Sequence, residues 1–261
     1  MTTPLRTGAV AWRRWGSGPH LVMLHGGAGS WRHWARNIPA LSQTHTVHVP
    51  DLPGLGDSDD IRIPVTDGLI GWAISEGIET LLPDRAPFDL VGFSFGAVVA
   101  GHVALAMKER LRSLTLVGAG ALGLRRATIK MSKWRDEMDA GKVRDIHRKN
   151  LASLMIADPA HIDQLAVTIQ QENGRRARLK SRSFTPQDAL AKNLHALNCT
   201  NLHVIYGAKD AVVGPYMQER SALFKALLPV EHFMIIPDAG HWVAYEQPVA
   251  FNALLKRIVG Y

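Results

Sequence analysis

The segment Gly92-Phe-Ser-Phe-Gly96 constrains this chain's fold more than any other. It follows an apolar run, Phe88 to Val91, and opens a small-residue helical stretch, Ala97 to Met107. The setting is a buried strand that turns straight into a helix through two glycines. Such a turn holds the intervening serine on a strained corner with its Oγ exposed. Gly-x-Ser-x-Gly alone is a weak signal, because a serine also serves as a small residue in a tight turn. A serine nucleophile needs a base, and the base needs an orienting group. The rest of the chain must supply both.

Short apolar runs bounded by Gly, Pro or Asp alternate with longer helical patterns, the signature of a mostly parallel sheet flanked by helices. The runs predict strands at Ala9–Arg13, Leu21–Leu24, Thr46–Val49, Leu90–Phe93, Ser113–Val117, Leu202–Tyr206 and His232–Ile236. Helices are expected at about Trp31–Leu41, Val65–Leu82, Phe95–Lys108, Tyr216–Leu228 and Pro248–Val259. The last two strands read as near-continuous apolar runs, as expected when both faces are covered. The alternation breaks between Leu122 and His195, a basic, helical stretch with no clear strand. The expected division is therefore a core of residues 1–121 and 196–261 and a helical cap of residues 122–195. Few large apolar residues fall in that stretch, so it is not expected to fold alone.

At 46% hydrophobic and 20% charged, the composition is that of an ordinary globular protein. No apolar stretch approaches the ~20 residues that cross a bilayer, and no secretory leader is read at the N-terminus. The single cysteine, Cys199, excludes an intramolecular disulfide. A cytoplasmic location is the expectation. The net charge of +7 is concentrated: residues 125–182 carry 14 Lys/Arg against 7 Asp/Glu, so the remainder is neutral. That block matches no nucleic-acid motif and has few aromatics, which leaves solvated helix faces, a field for an anionic substrate, or a partner surface. The expected partner is a small molecule, with neither nucleic acid nor membrane, and oligomeric state stays open.

Functional groups in open α/β sheets gather at the carboxyl ends of strands. Asp210 follows Leu202–Tyr206, and His241 follows His232–Ile236. The order Ser94, Asp210, His241 is the order of a serine triad on such a sheet. Here His241 takes the Ser94 proton, and Asp210 fixes the imidazole tautomer. Asp210 also suits a turn or a helix N-cap. Asp238 is nearer His241 in sequence but shares its turn. An oxyanion needs donors, and the Phe95 amide at a helix start is one. The glycine-rich loop His25-Gly-Gly-Ala-Gly29 offers a second, with Gly27 the first choice and Gly26 the next. Neither Gly-Lys-Ser/Thr nor the dinucleotide glycine spacing is present, so phosphate cradling is disfavoured.

Five segments together resemble the α/β-hydrolase superfamily over nearly the whole chain: His25–Gly29, Asp51-Leu-Pro-Gly-Leu-Gly-Asp-Ser58, Gly92–Gly96, Tyr206-Gly-Ala-Lys-Asp210 and Gly240-His-Trp-Val-Ala-Tyr-Glu-Gln-Pro248. The resemblance implies an eight-stranded, mostly parallel sheet with a cap after the sixth strand. It also implies Ser94 as nucleophile, Asp210 as acid and His241 as base, with no metal or organic cofactor. Gly29-Ser-Trp-Arg-His-Trp34 and His241-Trp242 look like the meta-cleavage-product hydrolases, which cut carbon–carbon bonds in dienoic acids, and related amidases. Those enzymes place asparagines where this chain has His33 and Phe93. Their cap arginine has its nearest counterparts in Arg175, Arg176 and Arg178. The Gly-Phe-Ser-Phe-Gly form resembles cofactor-free esterases, and Ser94 excludes the usual dehalogenase chemistry. The expected pocket comprises Gly27, Ala28, His33, Phe93, Phe95, Trp134 and Trp242. The sequence expectation is a capped serine hydrolase of a small carboxylic ester. A C–C hydrolase or amidase for an anionic ring-cleavage product is the alternative, and a non-catalytic ligand receptor the third.

Overall fold

The computed structural model describes residues 1–5, 8–61, 64–137, 139–197, 201–227 and 232–260. Cys199 and Leu228, the end of the expected last-but-one helix, lie outside them. Among the described residues the strands are β1 (Thr2–Leu5), β2 (Gly8–Trp15), β3 (His20–Leu24), β4 (Thr46–Pro50), β5 (Phe88–Phe93), β6 (Leu111–Val117), β7 (Leu202–Gly207) and β8 (Phe233–Ile236). They form one eight-stranded sheet in the order β1-β2-β4-β3-β5-β6-β7-β8. β1 and β2 run antiparallel to their neighbours, and every pairing from β4 to β8 is parallel. The helices are α1 (Ile38–Leu41), α2 (Asp67–Leu81), α3 (Phe95–Ala106), α4 (Ala140–Leu154), α5 (Gln164–Arg176), α6 (Ala189–Leu197), α7 (Met217–Leu227), α8 (Val243–Glu246) and α9 (Pro248–Val259).

Three local expectations change. The strand β1 has no apolar run to announce it and pairs only at the antiparallel edge. The stretch Trp31–Leu41 is not one helix: a 3-10 turn at Trp31–Trp34 is separated from the single turn α1. Pro39 explains the break, since it has no N–H and its ring clashes with the carbonyl four residues back. Both faces of β7 are buried as expected, but β8 is an edge strand with Ile235 43% exposed.

Apolar residues cover the sheet on both faces. On one side Ile70, Ile74 and Ile78 of α2 pack with Val99 and Val103 of α3. On the other, Trp242, Tyr245, Phe251 and Leu255 pack with Leu21, Val91 and Ile205 of the strands. The segment between β6 and β7 shares these cores. Leu151, Ile162 and Val167 join the second cluster, and Leu190 of α6 joins the first. Each such buried side chain contributes about 1.5–3 kcal/mol, so apolar burial does most of the work of seating the segment.

Two buried histidines make the fold sensitive to acid. Burial, with the neighbouring His20 and Arg14, lowers the pKa of His48 to about 4. Burial and the adjacent His232 lower His203 to about 4. In the unfolded chain both groups take up a proton near the ordinary histidine value of about 6.5. The unfolded state therefore binds more protons between about pH 6.5 and 4, and stability falls as pH drops through that window. The unfolding temperature is expected to decline steadily from pH 7 to pH 4.5. A His48→Gln/His203→Gln variant should show a shallower decline in the same calorimetric series.

Candidate active site

The β5–α3 junction is built by close backbone packing. A Cβ on Gly96 would lie 2.5 Å from the Leu24 carbonyl oxygen and 2.6 Å from that of His25. Gly92 is crowded in the same way by the backbone of Gly96 and Ala97. Between them Ser94 adopts φ 54° and ψ −112°, a conformation that costs a non-glycine residue about 1–3 kcal/mol and clusters at functional sites. The turn is pinned from β6, where the Ser94 N–H donates to the Val117 carbonyl at 2.8 Å. Ser94 itself stays half-buried above the sheet edge.

Two residues from distant loops meet it. The Ser94 Oγ lies 3.0 Å from His241 Nε2, and His241 Nδ1 lies 2.8 Å from Asp210 Oδ2. The other Asp210 oxygen accepts from the Val212 and Val213 amides at 2.8 and 3.3 Å, which fixes the carboxylate. Asp238 plays no part, being paired with Lys209 at the surface. Glu246 is a supporting residue that sequence reasoning passed over. Its buried carboxylate accepts from the amides of Gly240, Ala157 and Asp158 at 2.7, 3.0 and 2.8 Å, holding the turn that carries His241. A buried acid two residues before Pro248, inside the segment already singled out, was the available signal.

The 25–33 loop is held by two neutral histidines. The Leu52 N–H donates to His25 Nε2 at 2.9 Å, so the His25 proton sits on Nδ1 and is donated to the Gly26 carbonyl at 2.8 Å. The Gly26 N–H donates to His33 Nδ1 at 3.2 Å, which leaves the His33 proton on Nε2. Burial, reinforced by His25 and His241, holds the His33 pKa well below the usual histidine value. The Gly26 amide is thereby committed to His33. Among the described residues the Gly27 amide has no protein acceptor, and Phe95, as the first residue of α3, has an amide beyond the reach of intrahelical bonding.

The remaining expected pocket residues divide. Ala28 is exposed at φ 48°. Phe93 and Trp242, expected to line a pocket, are 2% and 1% exposed and instead support the site from behind. The Phe93 ring packs 5.1 Å from that of His241 and 5.5 Å from that of His33. The Trp242 indole N–H donates to the His33 carbonyl at 2.8 Å. Phe95 is buried, its ring edge-on to Phe184 at 6.0 Å. Trp134 lies against His147, 4.8 Å between ring centres, and beside Gly174, so its contacts are within the β6–β7 segment.

Two of the three expected arginines are engaged elsewhere. Arg176 is paired with Asp57 and Glu172, and Arg178 with Asp60 at 2.7 Å and the Ser58 carbonyl. Arg175 is exposed beside Glu172 at 3.5 Å. Arg176 and Arg178 meet the acids of the Asp51–Asp60 loop across nearly 120 residues of chain, and fasten the segment to the core. They are not free to grip a carboxylate.

The chain has counterparts among known proteins. Residues 21–254 match the family model described as the alpha/beta hydrolase family. This chain belongs to the alpha/beta hydrolase family. Among curated relatives it is similar to the pimeloyl-[acyl-carrier protein] methyl ester esterase of Aeromonas salmonicida, with 28% identity covering 97% of this chain and all of that protein. The 2-hydroxy-6-oxo-6-phenylhexa-2,4-dienoate hydrolase of Burkholderia cepacia is also 28% identical, covering 92% of this chain and 87% of that one. Among solved structures, the meta-cleavage product hydrolase of Pseudomonas fluorescens IP01 superposes with a TM-score of 0.73 at 21% identity, over 96% of this chain and 94% of that one. As an alpha/beta hydrolase the chain has the sheet its sequence implied, and no described helix is long and apolar enough to cross a membrane.

Two outcomes follow from the packing. Gly96→Ala forces a methyl group onto the Leu24 and His25 carbonyls and should cost about 3 kcal/mol in urea denaturation. Arg176→Ala/Arg178→Ala should lower the unfolding temperature and speed amide exchange over residues 164–184, while leaving any substrate-charge preference unchanged.

Proposed function

We propose that this alpha/beta hydrolase cleaves small carboxylic esters through an acyl-enzyme on Ser94. The observation that carries the proposal is the Ser94–His241–Asp210 line, with contacts of 3.0 and 2.8 Å. His241 Nε2 removes the Ser94 proton as Oγ attacks the ester carbonyl carbon. The carbonyl π-electrons move to oxygen, and the amides of Phe95 and Gly27 stabilise that charge at the start of α3. His241 then returns its proton to the leaving alkoxy oxygen as the C–O bond breaks, and an alcohol departs. Water attacks the acyl-enzyme by the same route, with His241 taking its proton and handing it back to Ser94 Oγ. Asp210 keeps the imidazole in the required tautomer and stabilises the imidazolium.

Residues 122–195 serve in this proposal as a cap over the carboxyl edge of the sheet. Support for an ester over a dienoic acid comes from the arginines: Arg176 and Arg178 are engaged by the 57–60 loop, which leaves a substrate carboxylate without them. The Phe93 side chain also offers no hydrogen-bond donor beside the nucleophile. The full-length relatives include an esterase and a dienoate hydrolase by name, so both reactions belong in one assay.

A fluorophosphonate probe should label the wild-type protein, and Ser94→Ala should abolish labelling. Asp210→Asn should reduce kcat on p-nitrophenyl butyrate by about 10⁴-fold, the effect of stranding the base in the wrong tautomer. Absence of labelling in the wild type would favour a ligand receptor. Bleaching of a coloured dienoate far faster than ester hydrolysis would overturn the ester assignment.

A further inference from the structure

One side chain outside the Ser94–His241–Asp210 line lies against the glycine-rich loop next to the nucleophile turn. A Cβ on Gly27 would lie 2.8 Å from Ser181 Oγ and 3.6 Å from the Cβ of Phe95. The Ser181 hydroxyl is therefore beside Gly27, which in turn neighbours Phe95. Its own backbone carbonyl is occupied, accepting from the Thr185 amide at 3.1 Å and the Thr185 hydroxyl at 2.8 Å. The hydroxyl donates to no protein acceptor among the described residues, and Ser181 is only half-buried.

The position of Ser181 is built from both sides. Arg178 donates its backbone N–H to the Gly54 carbonyl at 3.1 Å, and its guanidinium holds Asp60. Leu179 packs on Gly54, 3.1 Å from where a Cβ would be. Three residues past Ser181, the Phe184 ring meets Phe95 edge-on. The intervening 3-10 turn, Ser181–Ser183, is thus anchored on the 54–60 loop at one end and on the first residue of α3 at the other.

We propose that Ser181 is a further catalytic residue, whose hydroxyl donates a third hydrogen bond to the acyl oxygen held by the Gly27 and Phe95 amides. The inference rests on the acyl-enzyme reading above. It makes the β6–β7 segment part of the oxyanion site as well as its cover. Glycine at position 27 is what admits the hydroxyl, since a side chain there would occupy its space. The bond strengthens as charge builds on the oxygen, so its effect falls on the transition state more than on the bound ester. A freely rotating hydroxyl is less preorganised than a backbone amide, so its loss should fall below the about 10²–10³-fold of a fixed donor.

The test compares wild type, Ser181→Ala and Ser181→Thr on p-nitrophenyl butyrate, with a trifluoromethyl ketone as the tetrahedral mimic. Ser181→Ala should lose about 10- to 100-fold in kcat with KM within about twofold. It should bind the ketone more weakly by a matching factor and keep the wild-type unfolding temperature. Ser181→Thr, which retains a hydroxyl, should recover most of the kcat. An unchanged kcat in Ser181→Ala, or a loss with no matching change in ketone affinity, overturns the Ser181 assignment alone. A wild-type protein that fluorophosphonate fails to label overturns the acyl-enzyme reading and the Ser181 role with it.

Discussion

The close passage of α3 over the ends of β3 and β5 is the constraint on which the rest of the molecule depends. Gly96 rides on the carbonyls of Leu24 and His25, so α3 can start only where those carbonyls leave room. That contact turns the chain sharply at Ser94 and points the first amides of α3 out of the sheet. It also brings the 25–29 loop alongside them. The parallel register then extends the arrangement across the sheet. Phe93 pairs with Val117, Val117 with Ile205, and Gly207 with Ile236. Beyond the strand ends the ladder continues, with Gly118 N–H on the Ile205 carbonyl at 2.9 Å and Lys209 N–H on that of Ala239 at 2.8 Å. The three loops bearing Ser94, Asp210 and His241 are in this way tied to one another before any side chain meets.

This continuity explains which features were legible in the sequence. The parallel strands from β3 to β7 announce themselves as apolar runs because both of their faces are covered. The functional groups follow those runs because a parallel sheet collects its carboxyl ends on one edge. β1 carries no such run, since it is a short edge strand whose identity comes from pairing with β2. β8 read as doubly covered, yet its Ile235 faces solvent, as an apolar run does not distinguish an edge from a centre. The break at Pro39 was readable from the proline, but the apolar periodicity of Trp31–Leu41 concealed it. The destinations of Arg176 and Arg178 had no local signal, because Asp57 and Asp60 lie nearly 120 residues earlier.

Charge and proton placement follow a common logic. Part of the basic excess of residues 125–182 is matched by the acidic 51–60 loop rather than left as an open field. Arg13 completes that match by bridging Asp51 and Asp57 from β2. Exposed pairs of this kind contribute about 0–1 kcal/mol each, less than one buried leucine, so their effect is on register more than on affinity. Deeper in, where a charge would be costly, His25 and His33 are kept neutral and used as hydrogen-bond acceptors of fixed tautomer. Protonating His33 would remove the acceptor for the Gly26 amide, and burial opposes it, with His25 and His241 nearby adding to the effect.

What distinguishes this site is where its polarity comes from. Phe93 and Trp242 are packed away behind His33 and His241, so the floor of the site is apolar and stiff. In the proposed reaction its donors are the backbone amides of Gly27 and Phe95, and backbone amides treat every acyl oxygen alike. A floor of that kind sets the reaction but carries little information about the acyl group. On the proposed reaction, discrimination between substrates falls to residues 122–195, whose turn at Ser181–Ser183 lies beside Gly27 and is anchored by Arg178 and Phe184. Because the turn touches the two residues proposed to face the acyl oxygen, its seating bears in that proposal on rate as well as on fit. The ion pairs to the 57–60 loop help to fix how the segment meets Gly27.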